Sequence, residues 1–237
     1  MKLMLKYIFS LIVVFFSIKG NAQDTIKKYP ERYGLRVGID LHRLSKSFYD
    51  KNYKGLEIEG AYRLTKKFYA AGELGNEDKT VDDDRLNFTT NGTYFKLGFD
   101  YNPYENWLDM ENIIHIGLRY GISSFSHQLN SYKIYDRLNY YGVSTVESGQ
   151  EFTGLSASWL EVVTGVKAKV FNNFYMGFSF RLNYLISDKK PDNFDNLYIP
   201  SFNRTYDGKF GAGFNYTLSY FLPIYKKDKE KKTANNE

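Results

Sequence analysis

No cysteine occurs among the 237 residues. That excludes a disulfide framework, a thiolate metal site, a cysteine nucleophile and a lipid anchor on an N-terminal cysteine. Beyond residue 22 no apolar run approaches the roughly 20 residues that a bilayer-spanning helix needs, so a helical membrane protein is excluded as well. Neither sign of charge is in great excess: 32 basic residues face 27 acidic ones, and no basic stripe points to nucleic acid. A phosphate loop, a metal triad and any other cofactor signature are also missing, so the sequence implies no cofactor and no small-molecule substrate. What is abundant is aromatic and small: 22 Tyr and 19 Phe stand beside 19 Gly, with only 5 Pro and 2 Trp. Aromatics favour strands, and a chain of this length suits one domain.

The first 22 residues read as an export signal. Lys2 and Lys6 precede the apolar stretch YIFSLIVVFFSI, and Gly20-Asn21-Ala22 supplies a small-residue cleavage site. Removing this leader takes three lysines, Lys2, Lys6 and Lys19, which leaves 29 basic residues against 27 acidic. The expected organisation is a signal peptide at 1–22, a periplasmic segment at 23–31, one domain over 32–225 and a Lys-rich disordered tail at 226–237.

From Tyr33 onward the dominant period is two. Tyr33, Leu35, Val37, Ile39 and Leu41 alternate with Gly34, Arg36, Gly38, Asp40 and His42. Seven further segments repeat the pattern, centred on Leu56–Leu64, Phe68–Leu74, Phe95–Tyr101, Ile114–Ile122, Leu160–Val170, Phe174–Tyr184 and Phe210–Tyr220. The connections alternate in length. Thr65-Lys66-Lys67 and Phe171-Asn172-Asn173 are tight and Asn102–Glu111 is moderate, whereas 45–53, 76–87, 130–153 and 187–208 are long. Short turns at one rim and long polar loops at the other predict an all-β fold: an eight-stranded antiparallel up-and-down transmembrane β-barrel, with periplasmic turns and extracellular loops. One face of each segment is bulky and apolar, and the other is Gly, Ala, Ser and Asn with charges. In so narrow a barrel the small and charged face fits the lumen, and the aromatic face fits lipid. The rival is a soluble secreted lipocalin-like barrel with its apolar face inward around an apolar ligand.

The stretches RYGLRVGIDL, DDDRLNFTTNGTYFKLGFDYNPYENWLDMENI and SDKKPDNFDNLYIPSFNRTYDGKFGAGFNYT resemble an uncharacterised flavobacterial outer-membrane barrel family. More broadly, residues 32–225 resemble the small barrels of the OmpA and OmpX type. That resemblance implies the outer membrane of a Gram-negative cell and brings no activity with it. It also implies a terminal aromatic as insertion signal; here Tyr225 is followed by KKDKEKKTANNE, so the signal falls internally, around Tyr220, Phe221 and Tyr225.

Three groups of residues are candidates for function. Arg36, Asp40, Glu57, Glu59, Glu73, Lys96, Arg119, Glu161 and Arg181 fall on the lumen face, near neutral overall, and are expected to form a cross-barrel salt-bridge network. Trp107, Leu108 and Met110, with Lys226 and Lys227 of the tail, form a candidate partner surface on the periplasmic rim for an envelope protein complex. His127 with Ser124, Ser126, Ser156 and Ser158, near Glu151 and Glu161, is the alternative, a lipid-modifying site, though no nucleophile elbow accompanies it. The acidic stretch 76–85, with Glu77, Asp78, Asp82, Asp83 and Asp84, reads as a solvated loop. The resulting expectation is a non-enzymatic envelope barrel without an open pore, in contact with outer-membrane lipid and lipopolysaccharide.

Overall fold

The computed structural model describes residues 30–104, 111–134, 144–192, 195–204 and 209–227. The expected signal peptide at 1–22, most of the expected segment at 23–31, Trp107, Leu108, Met110 and the residues beyond Lys227 lie outside these. Eight antiparallel strands form one closed barrel: β1 (Glu31–Asp40), β2 (Tyr53–Arg63), β3 (Phe68–Asp82), β4 (Leu86–Tyr101), β5 (Ile113–Lys133), β6 (Thr145–Phe171), β7 (Phe174–Lys189) and, after a small hairpin of β8 (Tyr198–Ile199) and β9 (Asn203–Arg204), β10 (Phe210–Lys227). Each barrel strand pairs with its sequence neighbour, and β10 closes on β1 from Glu31↔Lys227 to Asp40↔Thr217. Lys226 and Lys227 are therefore exposed residues of a paired strand, and the barrel extends two residues past the expected boundary.

The alternation decides which way each face points. Ile116 is 56% exposed on the outside, while Arg119 on the same strand is 3% exposed inside. Leu97, Leu118, Phe178, Leu182 and Tyr216 repeat the outward pattern around the wall. So large an apolar exterior, wrapped around buried charge, is the arrangement of a barrel that crosses a bilayer. A lipocalin-like barrel is built the other way round. Among the described residues no helix is long and apolar enough to cross a membrane.

The strands are longer than the hydrophobic pattern. β5 has 21 residues and β6 has 27; at about 3.3 Å per residue and a tilt near 40°, β5 rises roughly 50 Å, about twice the apolar band of such barrels. Outward side chains on β5 change from Ile122 to Ser124, Ser126 and Gln128, where the wall leaves the apolar level yet stays in sheet. The expected loop at 76–87 shrinks accordingly to 83–85. Hydrophobic alternation reports the membrane slab, whereas strand length is set by backbone pairing, which continues into water.

The first outer connection departs further. Instead of a loop over 45–53, helix α1 (Leu41–Tyr49) follows β1 directly, and Leu41 belongs to it rather than to the strand. Asp40 ends β1 and caps the helix, its carboxylate accepting from the His42 N–H at 2.8 Å and the Arg43 N–H at 3.4 Å. Phe48, five residues and thus about 140° around the helix from Arg43, is 84% exposed while Arg43 is buried.

At the opposite rim the link after β4 is tied down by Glu111. Its carboxylate accepts from Arg32 Nε at 2.5 Å, Tyr175 Oη at 3.0 Å and Lys169 Nζ at 3.1 Å. Partial burial opposes the charge, but the Arg32, Lys169 and Tyr175 hydrogen bonds prevail and hold this carboxyl at about 2. A depressed carboxyl contributes stability above its unfolded value and loses it as pH falls through the folded one. Hydrogen-exchange protection at residues 111–113 is therefore expected to be full at pH 5 and lost toward pH 2. Glu111→Gln should abolish that pH dependence; an unaltered profile would show that the clamp is idle.

Candidate functional site

The lumen is filled at mid-height by charge. Lys96 on β4, fully buried, places Nζ 2.5 Å from Glu73 of β3, 3.0 Å from Glu57 of β2 and 4.0 Å from Glu161 of β6. From β7, Arg181 reaches Glu73 at 2.6 Å and Glu161 at 2.5 Å with the same Nη1. Arg119 of β5 donates to Asp100 at 2.7 Å and lies 3.5 Å from Glu73. Lower down, Lys167 and Glu59 form a separate pair at 2.7 Å. These groups meet because their strands' inward positions converge on one axis, where each buried charge faces one of opposite sign.

Besides Glu59, two of the nine candidates stand apart from the mid-height cluster. Asp40 is buried but serves α1, bonding Arg43 Nη1 at 2.5 Å and Asn215 Nδ2 at 2.7 Å. Arg36 has no ion pair among the described residues. Its guanidinium lies over the rings of Tyr175, Phe221 and Tyr69, with centroids at 4.5, 5.8 and 5.9 Å. Aromatic girth near the lower rim fills the space that a carboxylate partner would need.

Three interior residues escaped the sequence reading. Arg43 points in from α1 to Glu77 at 2.6 Å and Glu57 at 3.5 Å. Glu77, assigned to a solvated loop, is 2% exposed and accepts four hydrogen bonds: from Arg43, Tyr53 Oη at 3.0 Å, Tyr198 Oη at 2.7 Å and the Ser201 N–H at 2.9 Å. Strand parity was the available signal, since Glu73, Gly75 and Glu77 share the inward face once β3 is allowed to continue. Asn215 joins Asp40 to Glu57, donating to the latter at 2.9 Å.

Above the charges the interior turns apolar. Trp159, Phe202 and Ile199 are fully buried with Tyr94, Phe125, Leu155 and Leu185, and the Trp159 and Phe202 rings meet edge-on at 5.9 Å. Ile199 and Phe202 belong to the β8–β9 hairpin, so the last outer connection folds into the barrel mouth. Glu77 fixes both that hairpin and α1.

The serine and histidine cluster is not assembled. His127 is fully buried, its Nδ1 2.6 Å from Thr90 Oγ1, with Phe88 and Phe125 against its ring. Ser124 and Ser156 are exposed on the other side of the wall, and Glu161 is mid-lumen. Alternation of neighbouring residues separates the base from its candidate nucleophiles. Among the described residues no group of His, Asp and Glu is placed to hold a metal ion.

Solved structures similar to this chain include the attachment invasion locus protein Ail of Yersinia pestis, at 10% identity and a TM-score of 0.39, covering 81% of this chain and 99% of that one. Neisserial surface protein A (NspA) is 12% identical with a TM-score of 0.41, over 80% of this chain and 96% of its own. A second Ail structure, in complex with the heparin analogue sucrose octasulfate, matches at 11% identity and a TM-score of 0.39, over 81% of this chain and 99% of that one. No curated protein matches. A family model, described as a domain of unknown function, DUF6048, matches residues 4–227, and the chain belongs to that family.

Proposed function

We propose that this chain is a non-enzymatic barrel of a Gram-negative outer membrane, closed to solute flow, which serves the envelope as a structural or accessory component. The carrying observation is the filled lumen: Lys96, Arg181 and Arg119 interlock with Glu57, Glu73, Glu161 and Asp100 across the barrel, beneath the Trp159 and Phe202 cap. An ion finds no exchangeable ligands there, because every carboxylate of the cluster already faces a fixed cation. Bilayer lipid and lipopolysaccharide are the surroundings the apolar wall fits. Exposed Lys226 and Lys227 at the end of β10, together with Trp107, Leu108 and Met110 of the link that follows β4 in sequence, are the face proposed for an envelope partner.

The test is electrical. Refolded protein inserted into a planar bilayer is expected to give a flat current at 100 mV while migrating on gels as a heat-modifiable band. Unitary conductance steps from the folded band would overturn the closed reading. Recovery of the native protein in the soluble periplasm would remove the membrane assignment.

A further inference from the structure

The barrel wall changes character at one place. β1 leaves β2 after Ile39↔Ile58 and leaves β10 after Asp40↔Thr217, whereas β2 begins at Tyr53 and β10 at Phe210. Beyond Asp40 a strand is therefore missing between β2 and β10, and α1 stands in the gap. Its first turn lies beside β10, with the His42 ring 4.6 Å from that of Phe214. Its last turn is fastened to β2, Ser47 Oγ accepting from the Gly55 N–H at 2.8 Å and donating to the Gly55 carbonyl at 3.2 Å. Both neighbours point apolar side chains outward at that height. Phe214 is exposed on the outer face of β10, with Phe180 and Leu182 of β7 next to it, and Leu56 and Ile58 are exposed on the outer face of β2.

The two sides of α1 are reversed relative to a helix on a water-soluble protein. Its charges turn inward: Arg43 is buried against Asp40, Glu57 and Glu77, and Lys46 lies 4.3 Å from the centre of the Tyr53 ring. Leu41, Leu44 and Phe48 fall within about 60° of one another on the far side, at about 100° per residue. Phe48 is more exposed than any other large apolar residue described. Ser45, the polar residue on that side, gives its hydroxyl to the His42 carbonyl at 3.1 Å and so needs no water. An outward apolar face of this kind is unfavourable in water and favourable in hydrocarbon. A helix also meets the other demand of hydrocarbon, since its backbone groups bond within the segment, where an irregular loop would leave them bare. The surface turns polar just beyond. Tyr49 is exposed at the end of α1, and Lys54, the next outward position on β2 after Leu56, is exposed as well. An aromatic ring and a lysine at one level are what a membrane–water interface favours.

We propose that α1 is a lipid-facing part of the barrel wall: its Leu41, Leu44 and Phe48 side lies against acyl chains of the outer leaflet, and Tyr49 and Lys54 mark the level of the headgroups. This rests on the outer-membrane reading above. The occupant is lipid because the apolar face of α1 continues the bilayer-facing surface of β2 on one flank and of β10 on the other. A protein covering the helix would have to displace lipid from those strands too.

The chain has no cysteine, so a single introduced cysteine carries a nitroxide label without background. The full chain is refolded into phosphatidylcholine vesicles with Phe48→Cys or Leu44→Cys labelled. Leu182→Cys on β7 serves as the lipid-facing reference, and Gln128→Cys, exposed beyond the apolar level of β5, as the water-facing one. Power saturation with oxygen, which concentrates in hydrocarbon, is compared with a water-soluble nickel chelate. The oxygen-to-nickel ratio at residues 44 and 48 is expected to be several-fold above that at residue 128 and close to that at residue 182. A ratio at either site no higher than that of residue 128 puts α1 in water and overturns the proposal, while the membrane assignment stands on residue 182. Exclusion of both reagents from residue 48 shows a protein cover, a second copy of this chain included, and overturns it as well. A water-like ratio at residue 182 removes the membrane assignment and the proposal with it. Heat-modifiable migration establishes that each variant is folded, and should Leu44→Cys fail there, the largely exposed residue 48 decides.

Discussion

Arg181→Ala is expected to destabilise the folded barrel by about 3–5 kcal/mol, read as a shift in the urea midpoint in lipid vesicles. Arg181 holds Glu73 at 2.6 Å and Glu161 at 2.5 Å. Glu73 keeps Lys96 and Arg119 when the guanidinium goes. Glu161 does not fare as well, since its remaining cation, Lys96, is 4.0 Å away. A fully buried carboxylate would be left close to unpaired, and that penalty, rather than the worth of the original bond, sets the size of the loss. Arg181→Lys should fall in between, because an ammonium serves one carboxylate well and a fork serves two. The Lys167 and Glu59 pair offers the contrast. Lys167→Met with Glu59→Gln should cost less than Lys167→Met alone, since neutralising both partners strands neither. An unchanged midpoint for Arg181→Ala would mean that water reaches the lumen and screens the network.

Gly121→Val should be severely damaging, with a loss of about 3 kcal/mol or more and little heat-modifiable protein recovered on refolding. Gly121 sits on β5 opposite Trp159 of β6, and a Cβ there would lie 2.3 Å from the indole ring. That ring cannot swing aside, because Phe202 of the hairpin and the rest of the apolar cap pack around it. The glycine is thus the space into which the tryptophan fits. Gly60→Ala is the matched control: its Cβ meets nothing closer than the Gly72 carbonyl at 4.0 Å, and a change within about 0.5 kcal/mol is expected. Wild-type refolding of Gly121→Val would show that Trp159 is not held where the cap places it.

How far the interior was legible depended on where each residue lies along its strand. Lys96, Glu161 and Arg181 were readable because they lie within the apolar band, where their outward neighbours announce the alternation. Glu77 was not, because its strand had already left that band and its neighbours Asn76 and Asp78 are polar, so nothing marked the chain as sheet. Arg43 was obscured by a competing period: Leu41 continues the strand's odd-numbered apolar series, and only Asp40 as a cap reveals that a helix begins. The paired fate of His127 and Ser126 was implicit in alternation but needed the register to show that they face opposite sides of the wall.

The sequence by itself determined the number of barrel strands, their antiparallel direction and which face of each is bulky and apolar. A period of two is a local property, and eight repeats of it with alternating connections leave one closed antiparallel arrangement. Only the tertiary structure decided how those charges pair, since partners such as Glu73 and Arg181 are 108 residues apart and share no local signal. It also decided that α1 replaces the top of a strand and that the last outer connection folds inward onto Glu77. These features depend on the distance across a closed ring, which the barrel's closure fixes and no stretch of sequence contains.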